Sequence, residues 1–194
     1  MRQTAVWLSR VKDELGDDLQ VAWRSFALEQ VNSREGPRWK AWEQGPGYVS
    51  HGSRALRAGV AARGQAEQAH WRLALDLLDA KHVERRDIRD CDTVIEIAKS
   101  SGLDVVRFEE DLDAPASLQS VASDHETGAA IGVFGTPTFM FENGTTAYLK
   151  MYAPPPAETM DAFEHMLGLC RKRRYFGELK RPQPPWPRGA LDDL

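Results

Sequence analysis

The chain has 194 residues, 42% of them hydrophobic and 28% charged, with a formal net charge of -4 and a pI near 5.8. These ordinary values exclude a disordered polymer, a collagen and a disulfide scaffold. No apolar run approaches the roughly 20 residues of a membrane span and no basic surplus marks a nucleic-acid binder, so neither a membrane nor a nucleic acid is expected as a partner.

The first predicted element is an amphipathic helix. Ala5, Leu8, Val11 and Leu15 recur at helical spacing, Val6 and Trp7 widen the apolar face, and Gly16 supplies the stop. No leader with a charged start, an apolar core and a small-residue cleavage site is seen, and a cytoplasmic protein is expected. From Leu19 to Leu28, Leu19, Val21 and Trp23 alternate with Gln20, Ala22 and Arg24, which predicts a strand. The change of phase to Phe26 and Leu28 predicts a bulge or the strand's end. Residues 31–52 carry Gly36, Pro37, Gly45, Pro46 and Gly47 and predict a long loop, with a short helix at Trp39–Glu43. Trp39 and Trp42 in this loop are candidates for one wall of a substrate groove, against the plainer role of packing the loop down.

A helical block follows over residues 51–112. It holds an alanine-rich helix at Arg54–Arg63 and a second at Gln65–Lys81 with Trp71, Leu75 and Leu78 on one face and Leu73 and Leu77 beside them. Asp90 or Asp92 would cap a third helix whose Val94, Ile95 and Ala98 point inward, and Leu103–Leu112 forms a fourth. Asp113-Ala-Pro-Ala opens another helix to about Ala130, with proline tolerated in the first turn and His125 on the inward face. Thr138–Glu142 predicts a strand, Asn143–Gly144 a type I′ hairpin turn, and Thr145–Lys150 the return strand. Ala157–Lys172 is a last helix. The stretch 174–194 is a Pro-rich tail, and the basic run Arg171–Arg181 suits a helix C-terminus facing its dipole.

Helix, strand, helical block, helix, antiparallel hairpin, helix is the order in which the decisive segment appears, Gly132-Val-Phe-Gly-Thr-Pro-Thr-Phe139. This segment resembles the proline loop of the DsbA family of thioredoxin-fold oxidoreductases. The wording Trp23-Arg-Ser-Phe-Ala-Leu-Glu29 and the run Gly102–Leu112 resemble its FrnE-like, cytosolic branch. The resemblance covers residues 1–172. It implies an α/β fold, a thioredoxin-like sheet carrying a large all-helical insertion. Its domains would be 1–50 with 113–173 as the thioredoxin-like part and 51–112 as the insertion. It also implies a cis Thr136–Pro137 bond, with the backbone of Thr136 turned toward the redox thiol and its substrate. Thr136, Pro137, Trp39 and Trp42 are thus the candidate substrate-binding residues.

The same resemblance places a redox cysteine just before the first helix, where the helix N-terminus lowers a thiol's pKa. In this sequence that place falls before Gln3, and no cysteine stands there. The expectation is that the first strand and a Cys-Pro motif, about 10 to 20 residues by strand rise, lie upstream of Met1, and that the chain by itself is inactive. Cys91 and Cys170 form no CxxC pair and are not expected to replace the nucleophile. The five histidines show no metal-ligand spacing, and no metal is expected.

The implied activity is thiol–disulfide exchange, with protein thiols and disulfides or a small thiol as partners. No cofactor is required, although a low-molecular-weight thiol such as glutathione fits. Two alternatives stay open. One is a glutathione-dependent transferase or isomerase of the kappa or hydroxychromene carboxylate isomerase type. The other is a non-catalytic thioredoxin-fold binding protein.

Overall fold

A computed structural model describes residues 1–36, 38–45 and 48–179; Pro37, Pro46, Gly47 and 180–194, and with the last most of the expected Pro-rich tail, lie outside the described residues. In chain order the elements are α1 (Arg2–Leu15), α2 (Leu28–Asn32), α3 (Ser53–Ala61), α4 (Glu67–His82), α5 (Cys91–Ser100), α6 (Val105–Asp113), α7 (Pro115–Ala130), strands β1 (Thr138–Met140) and β2 (Thr146–Tyr148), and α8 (Thr159–Met166). They group into two compact units. A hairpin unit holds Met1, Gln3–Gln20 and the chain from Thr136 onward, and a helical unit holds Val21–Gly135 with Arg2. These units divide the chain at other points than the domains expected above, and the block 51–112 falls whole within the helical unit. No helix among the described residues is long and apolar enough to cross a membrane.

In the hairpin unit, α1 buries Ala5, Trp7, Leu8 and Val11, the stripe its spacing predicts. Trp7 is fully buried; its ring lies 6.2 Å from that of Phe163 on α8, and its Nε1 donates to the Thr159 carbonyl at 3.1 Å. One side chain thereby joins the first and last helices by an apolar contact and a satisfied polar edge. Gly16 ends α1 at φ +52°, a conformation that favours glycine, and its N–H returns to the Lys12 carbonyl.

β1 and β2 pair antiparallel with Thr138 opposite Tyr148, Phe139 opposite Ala147 and Met140 opposite Thr146. The turn is not type I′. That turn needs positive φ at both central residues, and here Gly144 has it (φ +77°) while Asn143 does not. Phe141 and Thr145 close a loop of Glu142, Asn143 and Gly144, with the Phe141 N–H on the Thr145 carbonyl and the Gly144 N–H on the Phe141 carbonyl. Asn143 caps it from inside, its Oδ1 accepting from the Thr145 N–H and hydroxyl. This is the longer hairpin connection with glycine at its left-handed position.

The helical unit packs α3 to α6 around Ala58, Ala61, Ala69, Leu73, Leu77, Ala80, Val94, Ile97, Phe108 and Leu112. The alanines let these helices approach closely around the larger side chains. The buried stripe of α4 is Ala69, Leu73, Leu77 and Ala80, with Trp71 beside it, while Leu75 and Leu78 are half-buried. The stripe differs from the expected one because small residues as well as large ones count toward the inward face. In α5 the buried residues are Val94, Ile97 and Ala98, and Asp90 caps the helix by accepting the Thr93 N–H at 2.8 Å.

The predicted strand at 19–28 is not a strand. Residues 19–27 run without regular hydrogen-bonded structure, and α2 begins at Leu28. The side-chain alternation is nevertheless real: Gln20, Ala22 and Arg24 are exposed, and Ser25 and Ala27 are buried. The large residues change phase, but the buried face does not, because small Ser25 and Ala27 continue it. Beyond the local bonds of Leu19 to Gly16 and of Gln30 to Ala27, the segment makes no backbone–backbone hydrogen bond among the described residues. Phe108 is fully buried and Val106, two residues before it, is 71% exposed. Phe108→Ala should cost about 3–5 kcal/mol by the cavity it opens, and Val106→Ala less than about 0.5 kcal/mol, both read from urea unfolding.

Candidate functional site

Thr136 and Pro137 stand where the chain enters β1, both half-buried, and the peptide bond between them is cis. The ladder reaches one step past β1, since the Leu149 N–H donates to the Pro137 carbonyl at 3.1 Å. Proline returns no N–H, so hairpin pairing ends there. Neighbouring residues of a strand send their backbone groups to opposite edges. Along this stretch Pro137 and Phe141 face β2, and Thr136 stands one residue before the ladder's last step.

Lys150 follows Leu149, whose N–H makes the last bond of the ladder. The Met1 amine is held below its ordinary pKa, first by burial and then by the Lys150 ammonium. The hairpin mouth and the start of α1 therefore lie within electrostatic reach of each other inside the hairpin unit. α1 begins without a side-chain cap and without an acidic residue in its first turn. Its first N–H groups and positive dipole end are not neutralised by the helix itself.

Trp39 and Trp42 belong to the helical unit and Thr136 and Pro137 to the hairpin unit. The loop that carries the tryptophans is pinned by two adjacent side chains of α2. Gln30 donates to the Trp39 carbonyl and accepts the Ala41 N–H, each at 2.9 Å. The Glu29 carboxylate accepts from Tyr48 Oη at 2.7 Å, Ser50 Oγ at 2.6 Å and the His51 N–H at 3.2 Å. Burial alone would raise the Glu29 carboxyl, but these donors outweigh it and hold it below the usual range, while the bond to Glu29 pushes the Tyr48 phenol up to about 12. The Trp39 ring meets that of Tyr48 edge-on at 5.8 Å. Trp42 lies 5.1 Å from the imidazole of His125 and has the Lys40 ammonium 5.5 Å above its ring.

His125 and its neighbour Asp124 are residues whose roles the periodicity did not reveal. His125 Nδ1 accepts the Ala27 N–H at 3.2 Å, and its ring stacks on Phe26 at 4.5 Å. Asp124 accepts the Ser25 N–H at 2.9 Å and pairs with Arg24 and Arg63. The inward placement of His125 was legible from helical spacing. A side chain taking a backbone N–H a hundred residues away leaves no local signal. The accepting Nδ1 also fixes the proton of the neutral ring on Nε2.

Cys91 and Cys170 are both free thiols. Cys91 is the first residue of α5 and packs against the helical core, and Cys170 lies in the π-helical turn Leu167–Arg171, where burial pushes its thiol up. A raised pKa opposes thiolate formation. Among the described residues no group of His, Cys, Asp and Glu is arranged to hold a metal ion. A cleft of about 510 Å³ near Leu169, Arg173, Tyr175 and Phe176 contains none of the predicted site residues.

The model of the DSBA-like thioredoxin domain matches residues 5–168. The chain belongs to this family. The fold is accordingly thioredoxin-like of the DsbA type with a helical insertion, and the family is one of thiol–disulfide oxidoreductases. The chain is 26% identical over 193 residues to an uncharacterized protein of Mycobacterium tuberculosis, Rv2286c, covering 94% of this chain and 77% of that protein. It is 26% identical over 149 residues to the ClpXP adapter protein SpxH of Bacillus subtilis, covering 77% of this chain and 48% of the adapter. It thus spans about half of that second relative. A crystal structure from Nitrosomonas europaea, of a candidate protein disulfide isomerase, superposes with a TM-score of 0.59 at 14% identity, over 86% of this chain and 91% of the other.

Burial first, then the Lys40 charge, holds the His125 imidazole below its ordinary pKa, against the opposing pull of Glu126. The unfolded chain therefore binds this proton more tightly. The His125 contribution is complete above the unfolded value near about 6.5 and is lost as pH falls from there through the folded value. His125→Phe keeps a ring against Phe26 and leaves the Ala27 N–H without its acceptor. It should cost about 1–3 kcal/mol at neutral pH, and urea titrations should show a shallower fall of stability between neutral and mildly acidic pH than in the parent chain.

Proposed function

We propose that the activity is thiol–disulfide exchange, with Thr136–Pro137 as the backbone that receives the substrate and, at the N-terminus of α1, a thiolate that the 194 residues do not themselves supply. The observation that supports this most directly is the grouping, in one unit, of the Thr136–Pro137 bond, Lys150 and the uncapped start of α1. Membership of the DSBA-like family supports it independently. In the reaction, the thiolate sulfur attacks one sulfur of a partner disulfide. The S–S bond breaks, the second sulfur leaves as a thiolate, and a mixed disulfide remains for a further thiol to resolve. The positive end of α1 and the Lys150 ammonium stabilise the thiolate, and the Thr136 N–H and C=O align the extended substrate beside it.

Neither Cys91 nor Cys170 enters this scheme, since one sits against the helical core and the other has a thiol raised by burial. A second reading, a non-catalytic binding protein, draws on the adapter among the relatives. The FrnE-like assignment and a cytoplasmic location belong to the first reading, and glutathione is a fitting small thiol in it.

Two measurements test the scheme, and the second separates it from the binding-protein reading. The 194-residue chain and its Cys91→Ser/Cys170→Ser form should both leave insulin disulfides unreduced; reduction by the first and not the second would refute the scheme. Met1→Cys, produced behind a cleavable leader, should place a thiol at the start of α1. Its pKa should lie at least about 1 unit below the free value near 8.5, and Lys150→Glu should bring it part of the way back. An ordinary thiol pKa in Met1→Cys would favour the binding protein.

A further inference from the structure

The hairpin turn holds a reactive peptide bond inside a latch. Asparagine followed by glycine readily loses its side-chain amide, because glycine has no side chain to keep its nitrogen away from the neighbouring Cγ. Asn143 and Gly144 are exposed, so water reaches the bond. The polar groups that the reaction needs are nevertheless engaged. The Gly144 N–H donates to the Phe141 carbonyl at 2.9 Å, and Gly144 is held at φ +77°. Asn143 Oδ1 accepts the Thr145 N–H at 3.1 Å and the Thr145 hydroxyl at 2.7 Å. Its Nδ2 donates to the Arg171 carbonyl at 3.0 Å, and the Asn143 carbonyl accepts from Arg174 Nη2 at 2.9 Å. Arg171 in turn reaches the Glu142 carboxylate at 3.6 Å. The chain that follows α8 is therefore fastened to the turn through both the side chain and the backbone of Asn143. This lies at the end of the hairpin opposite Thr136.

We propose that Asn143–Gly144 is a self-modification site, gated by the seating of Arg171–Arg174 on the turn. While the latch is closed, the Asn143 amide is held by its own bonds and cannot turn toward the Gly144 nitrogen. When it opens, that nitrogen gives its proton to water and attacks Asn143 Cγ. The bond from Cγ to Nδ2 breaks, ammonia leaves, and a five-membered imide remains. Water opens the imide at one carbonyl to give aspartate or at the other to give isoaspartate, with no oxidant or reductant. Either product is a one-way record of the opening. The new carboxylate has no N–H for the Arg171 carbonyl, so two acceptors would face each other unbonded. Isoaspartate also routes the backbone through the former side chain, which lengthens the loop between Phe141 and Thr145 by one carbon and spoils their pairing. The proposal is independent of the thiol reading, since it involves no cysteine and no residue of the hairpin mouth.

The test follows conversion of Asn143 in the full chain at neutral pH, by peptide mapping and mass spectrometry. The folded chain should convert about tenfold or more slowly than the same chain in unfolding urea, since several hydrogen bonds must break first. Arg174→Ala removes one bond of the latch from an exposed side chain. It should raise the folded rate severalfold and leave the rate in urea unchanged, with unchanged amide exchange in α7 reporting an intact fold. The converted chain, separated by its added negative charge, should exchange the Lys172 and Phe176 amides, which bond Leu167 and Arg173 in the parent, faster than the parent does. Asn143→Ala, which lacks the latch without any chemistry, should do the same. Three results would overturn the proposal: conversion as fast in the folded chain as in urea; an unchanged folded rate in Arg174→Ala; or parent-like exchange at Lys172 and Phe176 in the converted chain or in Asn143→Ala.

Discussion

Two neighbouring side chains on α7 hold the start of the helical unit in place. Asp124 and His125 take the N–H groups of Ser25 and Ala27, and each does more than that one task. Asp124 also gathers Arg24 and Arg63, and His125 is the ring on which Phe26 stacks and which Trp42 meets. A single helical turn therefore fixes the extended segment and one tryptophan of the long loop. Because His125 accepts through Nδ1, its neutral form is the structural one, and the apolar rings around it preserve that form by excluding water.

The same economy appears in the hairpin unit. Trp7 fills the space between α1 and α8 and bonds the Thr159 carbonyl with its one polar atom. This orients the start of α1 relative to α8, and with it the positive helix end that the proposed thiolate requires. Pro137 then ends the hairpin ladder at a defined step, immediately after Thr136. Position, in both units, is set by a few side chains with two partners each.

Much of this was legible in the residues. Helical spacing marked α1 and Gly16, the proline at the first turn marked α7, and Gly132 to Phe139 marked the family. Two misreadings of the buried face share one physical cause, which is that large side chains were given too much weight. In α4 the stripe completed by Ala69 and Ala80 is buried, and in 19–27 Ser25 and Ala27 continue a face that Phe26 seemed to interrupt. The turn at Asn143–Gly144 was misassigned because the same pair serves a longer loop when only the glycine takes positive φ. The clamp of Glu29 and Gln30 and the caps of Asp124 and His125 could not be read locally. They are bonds between side chains and distant backbone, and such bonds impose no period on the sequence.

Trp23 and Trp71 meet edge-on, their ring centroids 5.0 Å apart and their planes at 81°. One sits in the extended segment and the other on α4, so the pair spans the joint between the unpaired backbone and the alanine-lined helical core. Indoles this close share their electronic excitations, and the resulting optical activity depends steeply on their separation and angle. The protein thus has a native chromophore pair at the joint whose near-ultraviolet dichroism registers small shifts of the segment without any label.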